Sequence, residues 1–93
     1  IGENSIINSN SVIEHDTFIG KGCFISTGSI IGSNTIIKDY VFVGMNSSIK
    51  GGIIISNETF IGMGSNVLKS INSSGKLVYG NPAKLVYNML FYR

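Results

Sequence analysis

Every sixth residue from Ile1 to Val67 is a β-branched aliphatic: Ile1, Ile7, Ile13, Ile19, Ile25, Ile31, Ile37, Val43, Ile49, Ile55, Ile61 and Val67. A period of six matches neither the 3.6-residue turn of an α-helix nor an uninterrupted strand, whose side chains alternate with period two. Four residues after each anchor stand Ser5, Ser11, Thr17, Cys23, Ser29, Thr35, Val41, Ser47, Ile53, Thr59 and Ser65, most of them small. In extended chain this fifth residue and the next anchor point the same way, with one outward residue between them, so both face a narrow interior. The fourth residue of each hexad is Asn4, Asn10, Asp16, Gly22, Gly28, Asn34, Tyr40, Asn46, Gly52, Glu58 and Gly64. Nine of these eleven are Asn, Asp or Gly, the residues that enter the left-handed backbone region at least cost. Each hexad is therefore a short strand closed by a sharp corner.

With 93 residues the chain is one domain, and a globule of that size buries a limited share of its surface. Stacked repeats extend such a core, and an excess of Ile, Ser, Asn and Gly with one Pro and no Trp agrees with them. The net charge of +2 comes from scattered residues, which argues against a nucleic-acid partner. A single Cys cannot form an internal disulfide, and one Cys with one His cannot make the usual protein zinc site, so no metal is expected. No apolar run approaches the roughly 20 residues of a membrane span and no signal peptide is recognisable. The expectation is a soluble cytoplasmic chain without a membrane partner. Because it begins at Ile1 inside the repeat and without Met, it is also expected to be an excised part of a longer protein.

His15 is the only histidine and falls at the third position of its hexad, on a corner and open to solvent. An imidazole there can accept a proton from a hydroxyl or amine, although a histidine on a surface turn is usually incidental. Cys23 takes the small inward position and belongs to the core rather than to an acyl-enzyme.

The twelve hexads resemble the bacterial hexapeptide-repeat acyltransferases, in which three successive hexads make one triangular coil. The resemblance implies an all-β fold, a left-handed parallel β-helix of about four coils over residues 1–71. Residues 72–93 would then form a C-terminal turn, a Gly-Asn-Pro-Ala-Lys segment and a short apolar tail. The handedness comes from the resemblance alone.

The string Ser11-Val12-Ile13-Glu14-His15-Asp16, followed by Ile19-Gly20, is similar to the active-site segment of the subgroup that acetylates sialic acids or UDP-4-amino sugars. It implies His15 as general base and Asp16 as the residue that orients the imidazole, while Asp is equally a good corner residue. Where some relatives carry a second histidine near acetyl-CoA, this chain has Phe24, whose ring is a candidate to pack on the pantetheine arm. The backbone amide of Ser33, one coil above His15, matches the family position that hydrogen-bonds the thioester carbonyl. Gly80-Asn81-Pro82-Ala83-Lys84 resembles the family's closing element near the nucleotide end of CoA, which makes Gly80, Asn81, Pro82 and Lys84 candidate contacts.

On a lattice that repeats every three hexads, Phe24, Phe42 and Phe60 stack in one outward column, and Gly44 and Gly62 leave a lane, flanked by Met45 and Met63, that is either room for a pantetheine arm or only the glycine a corner needs. The aromatic patch calls for a cover. Either a neighbouring subunit of the homotrimer usual in this family or the tail segment Leu85-Val86-Tyr87-Asn88-Met89-Leu90-Phe91 supplies it. The function implied is direct acetyl transfer from acetyl-CoA, without metal, to an amine or hydroxyl of a sugar or nucleotide-sugar. Relatives draw much of their sugar pocket from a separate N-terminal domain. The alternative is a non-catalytic β-helix that serves as a trimerisation module of a larger protein.

Overall fold

A computed structural model describes residues 1–88. The strands are β1 (Ile6–Ile7), β2 (Val12–Ile13), β3 (Phe18–Ile19), β4 (Phe24–Ile25), β5 (Ile30–Ile31), β6 (Ile36–Ile37), β7 (Phe42–Val43), β8 (Ser48–Ile49), β9 (Ile54–Ile55), β10 (Phe60–Ile61), β11 (Asn66–Val67), β12 (Lys76–Gly80) and β13 (Ala83–Asn88). From β1 to β8 each short strand pairs in parallel with the one three strands later, Ile6 with Phe24, Val12 with Ile30 and Phe18 with Ile36. Three sheets result: face A (β1, β4, β7, β10, β12, β13), face B (β2, β5, β8, β11) and face C (β3, β6, β9). The fold is a left-handed parallel β-helix of about four coils.

The corners follow from the fourth residue of each hexad. All eleven of these residues have φ between 57° and 80°, including Tyr40 and Glu58, which lack the usual reasons to enter that region. The anchors Ile25, Ile31, Ile37, Val43, Ile55 and Ile61 are fully buried along the axis. Each such side chain contributes about 1.5–3 kcal/mol by leaving water. The fifth-position hydroxyls fill the remaining interior and satisfy it. Ser11, Ser29 and Ser47 donate to the carbonyls of Ser26, Gly44 and Gly62 in the next coil at 2.9, 3.0 and 3.1 Å. Among the described residues no buried side-chain nitrogen or oxygen lacks a partner.

Cys23 lies in this interior at 1% exposure, its thiol 3.0 Å from the Lys38 carbonyl. Burial pushes the thiol above its usual range, against the lowering effect of hydrogen bonds from Val41 and Ser5. A raised pKa means less thiolate, and the thiolate is the nucleophile. Native protein is therefore expected to resist iodoacetamide and to react at once in denaturant; equal labelling rates in both would show that the coil opens readily.

Beyond Val67 the hexads stop, yet the chain returns to the sheet. β12 pairs with β10 in parallel, Phe60 with Leu77 and Ile61 with Val78, one position short of the three-hexad step that relates the other coils. β13 then folds back antiparallel on β12 through Asn81 and Pro82, with Gly80 opposite Ala83. The segment expected as turn and tail thus carries a fifth rung of face A and a hairpin strand. Its Leu77-Val78-Tyr79 repeats the outward, inward, outward order of Phe60-Ile61-Gly62, with Val78 buried and Tyr79 exposed.

Candidate functional site

Three corners separate the faces, and the candidate residues divide between two of them. His15 and Asp16 lie in the link between β2 and β3, on the corner between faces B and C. Both are exposed, at 72% and 77%, and His15 Nδ1 stands 3.1 Å from Asp16 Oδ2. Asp16 has φ 58°, so one residue both makes the corner and meets the imidazole. Ser33 occupies the same corner one coil up. The N–H of its neighbour Asn34 donates to the His15 carbonyl at 3.0 Å, which fixes the two coils in register. The Ser33 N–H itself has no acceptor among the described residues.

The second set lies on face A and on the corner that leads from it to face B. The rings of Phe24, Phe42 and Phe60 stack outward with centroids 5.5 and 4.5 Å apart. Leu77 continues that column above Phe60. Beside it runs an almost wholly apolar groove of about 430 Å³, floored by Gly44 and Gly62, walled by Phe42, Phe60, Met45 and Met63, and closed above by Leu77 and Tyr79. A groove of this size is in the range of small-molecule sites.

The two floor glycines differ in why they are needed. A Cβ on Gly44 would come within 2.6 Å of Met63 backbone atoms, whereas one on Gly62 would meet the Tyr79 ring at 2.9 Å. Gly44 therefore maintains the approach of successive coils, and Gly62 leaves room for the ring. The N–H groups of Met45 and Met63 have no acceptor among the described residues, so the groove edge carries polar donors. Behind it Ser29, Ser47 and Ser65 bond the Gly44 and Gly62 carbonyls and tie this corner together from inside.

Phe24, Gly44, Met45, Gly62 and Met63 are thus gathered on one side of the prism, and His15, Asp16 and Ser33 on another, with face B between them. Within one chain the two sets do not meet. Gly80, Asn81, Pro82 and Lys84 sit at the hairpin turn, with Lys84 beside Lys69 on a recess of about 300 Å³. Of the proposed tail cover, Leu85 and Val86 are exposed at 58% and 52%, and Met89, Leu90 and Phe91 lie outside the described residues. The sequence reasoning missed Tyr79 and Leu77 as groove residues. Their signal was the repeated Leu77-Val78-Tyr79 order, hidden by the break in period.

Among the described residues no helix is long and apolar enough to cross a membrane, and no group of three His, Cys, Asp or Glu side chains could hold a metal ion. No family model and no curated protein matches the chain. Solved structures do. A hexapeptide transferase family protein from Anaplasma phagocytophilum is 30% identical and superposes with a TM-score of 0.89 over 96% of this chain and 54% of its own. The polySia-specific acetyltransferase NeuO is 27% identical, with a TM-score of 0.86 over 95% of this chain and 50% of its own. Serine acetyltransferase from Neisseria gonorrhoeae is 28% identical, with a TM-score of 0.89 over 96% of this chain and 38% of its own. The chain spans about half the length of the first two.

Proposed function

We propose, from the premise that this chain is a hexapeptide-repeat left-handed β-helix of the kind on which the hexapeptide acyltransferases are built, that it moves an acetyl group from acetyl-CoA to an amine or hydroxyl of a sugar. The observation that carries this reading is the exposed His15–Asp16 pair with an uncommitted backbone amide one coil above it at Ser33. With Nδ1–H donating to Asp16, the imidazole keeps its lone pair on Nε2. That nitrogen takes the proton of the acceptor as the acceptor nitrogen or oxygen attacks the thioester carbon. The Ser33 N–H steadies the oxyanion, the carbon–sulfur bond breaks, and the departing thiolate takes the proton from His15 to leave as CoA thiol. Cys23, buried in the core, takes no part.

The groove on the A–B corner suits the pantetheine arm. Its walls are apolar, and the Met45 and Met63 amides answer the arm's carbonyl groups. Lys84 at the hairpin turn suits a phosphate at the nucleotide end.

Because base and groove stand on different corners, the reading requires more than one copy. Three copies around a three-fold axis parallel to the β-helix axis, with face B turned inward, bring the B–C corner of one against the A–B corner of the next. Rotation preserves height, so the His15 coil meets the matching coil of its neighbour. Val12 and Ile30 on face B, 43% and 46% exposed, would gain cover. A reducing cytoplasm belongs to the same reading and agrees with a free buried thiol.

The test is release of CoA thiol by the full-length parent with a UDP-4-amino sugar, sialic acid and serine as acceptors. Turnover on a sugar is expected, and serine alone would move the assignment to an amino-acid acceptor. No turnover with any acceptor from an intact trimer would make the chain a trimerisation module. Gly62→Val drives the Tyr79 ring into the groove and is expected to raise KM for acetyl-CoA several-fold with little change in KM for the acceptor. Unchanged KM for acetyl-CoA would show that CoA does not use the groove.

A further inference from the structure

At the corner between faces C and A the rule that governs the other corners is broken twice, in adjacent coils. Tyr40 and Glu58 are the two left-handed residues that are not Asn, Asp or Gly, and they stand one above the other. Each is held against its own backbone preference, while Asn4 and Gly22, lower in the same column, show that the chain has a relaxed solution to the same corner. Residues kept in sparsely populated conformations mark places where something besides the fold is served.

Packing does not account for Tyr40. Its side chain is 55% exposed, and the room for its ring comes from Gly22 below, where a Cβ would reach 2.5 Å from ring carbons. Nor does backbone satisfaction account for it. This corner closes its third-position amides with side chains, the Lys21 N–H on Asp39 Oδ1 at 3.1 Å and the Asp39 N–H on Asn57 Oδ1 at 2.9 Å. The result is a cross-braced frame around a polar recess of about 290 Å³ that Lys21, Asp39, Tyr40, Asn57 and Glu58 line. Lys21 Nζ lies 5.9 Å from the centre of the Tyr40 ring and helps to fix it.

We propose that this recess is a second carbohydrate site that takes a neutral sugar ring. A pyranose offers one apolar C–H face and an edge of paired hydroxyls. The Tyr40 ring matches the first, and the Asp39 and Glu58 carboxylates with the Asn57 amide match the second. Two carboxylates against one ammonium disfavour an anionic sugar. The corner is the one opposite face B, so it points outward in the ring of three. There it holds a further residue of a longer glycan and raises the local concentration of the rest. The site is independent of the acetyl-transfer reading, since a trimerisation module could hold a sugar equally well.

The experiment is a titration of the full protein with N,N′-diacetylchitobiose and with maltotriose, followed by amide nitrogen–proton NMR. Saturable shifts at Lys21, Tyr40 and Asn57 are expected with at least one of them. Tyr40→Asn should weaken binding at least about tenfold, raise Tm because Asn suits the corner, and leave acetyl transfer to a small acceptor unchanged. Tyr40→Phe should keep most of the binding. Absence of saturable shifts with either sugar overturns the site, as does undiminished binding in Tyr40→Asn. Equally tight binding of N-acetylneuraminic acid overturns the neutral class.

Discussion

Replacing His15 with alanine is expected to lower acetyl transfer by about 10²- to 10⁴-fold, the usual contribution of a positioned general base, with Tm unchanged within about 2 °C. The two halves of this expectation have separate causes. The imidazole is 72% exposed and bonds only to an equally exposed carboxylate, and such a pair adds little to stability. Its loss therefore falls on kcat and not on folding. Asp16→Asn separates the residue's two duties, because Asn keeps the left-handed corner, as at Asn10 and Asn34, while it removes the carboxylate. A smaller but clear loss of kcat with unchanged Tm would assign Asp16 an orienting role. Wild-type kcat in Asp16→Asn would leave it as a corner residue alone, and wild-type kcat in His15→Ala would remove the mechanism.

At acetyl-CoA well below KM, where His15→Ala and Gly62→Val are both impaired, a mixture of the two is expected to hold fully sound sites at about one position in four. In the proposed ring of three, each site would draw its base from one copy and its groove from the next. When His15→Ala and Gly62→Val chains are unfolded together and refolded one to one, a given site has an even chance of a sound base and an even chance of a sound groove. Chains that housed the whole site would regain nothing, because every chain carries one lesion. Recovery is thus read against the average of the two variants alone. Refolding each variant alone provides the baseline, and failure of the mixture to exceed it would refute a site completed between copies.

Much of the fold was legible because a β-helix writes its geometry into spacing. The anchors Ile1 to Val67 and the small residues between them gave inward and outward directions, and the fourth positions gave the corners. Even Tyr40 and Glu58, chemically unlike their counterparts, obey the corner geometry, since the coils above and below impose it. Two things escaped. The fifth rung on face A falls one position short of the regular step, so a lattice of whole hexads passes over Leu77, Val78 and Tyr79. The separation of His15 from the groove is a property of the three faces, and columns counted one face at a time do not show which corners are neighbours. Of the candidate site, the exposed corner position of His15 and the lane beside the phenylalanines were visible in residue order, whereas the meeting of His15 with Asp16 was implied only by the family resemblance. The closure of the groove by Tyr79 required a pairing that residue order does not state.

The hydrogen bonds that lock each coil to the next give the protein a graduated scale. Heights along its axis come in whole coils of about 4.8 Å, because Asn34 above His15, like Ser47 below Gly62, holds its partner in a fixed register. The distance from the level of His15 to the hairpin turn is accordingly a count and not a shape. Point substitutions can widen or narrow the groove sideways but cannot lengthen it by a fraction of a step. A longer or shorter substrate would be accommodated by adding or removing three hexads at once, with every corner, rung and hydroxyl already in place for the new turn.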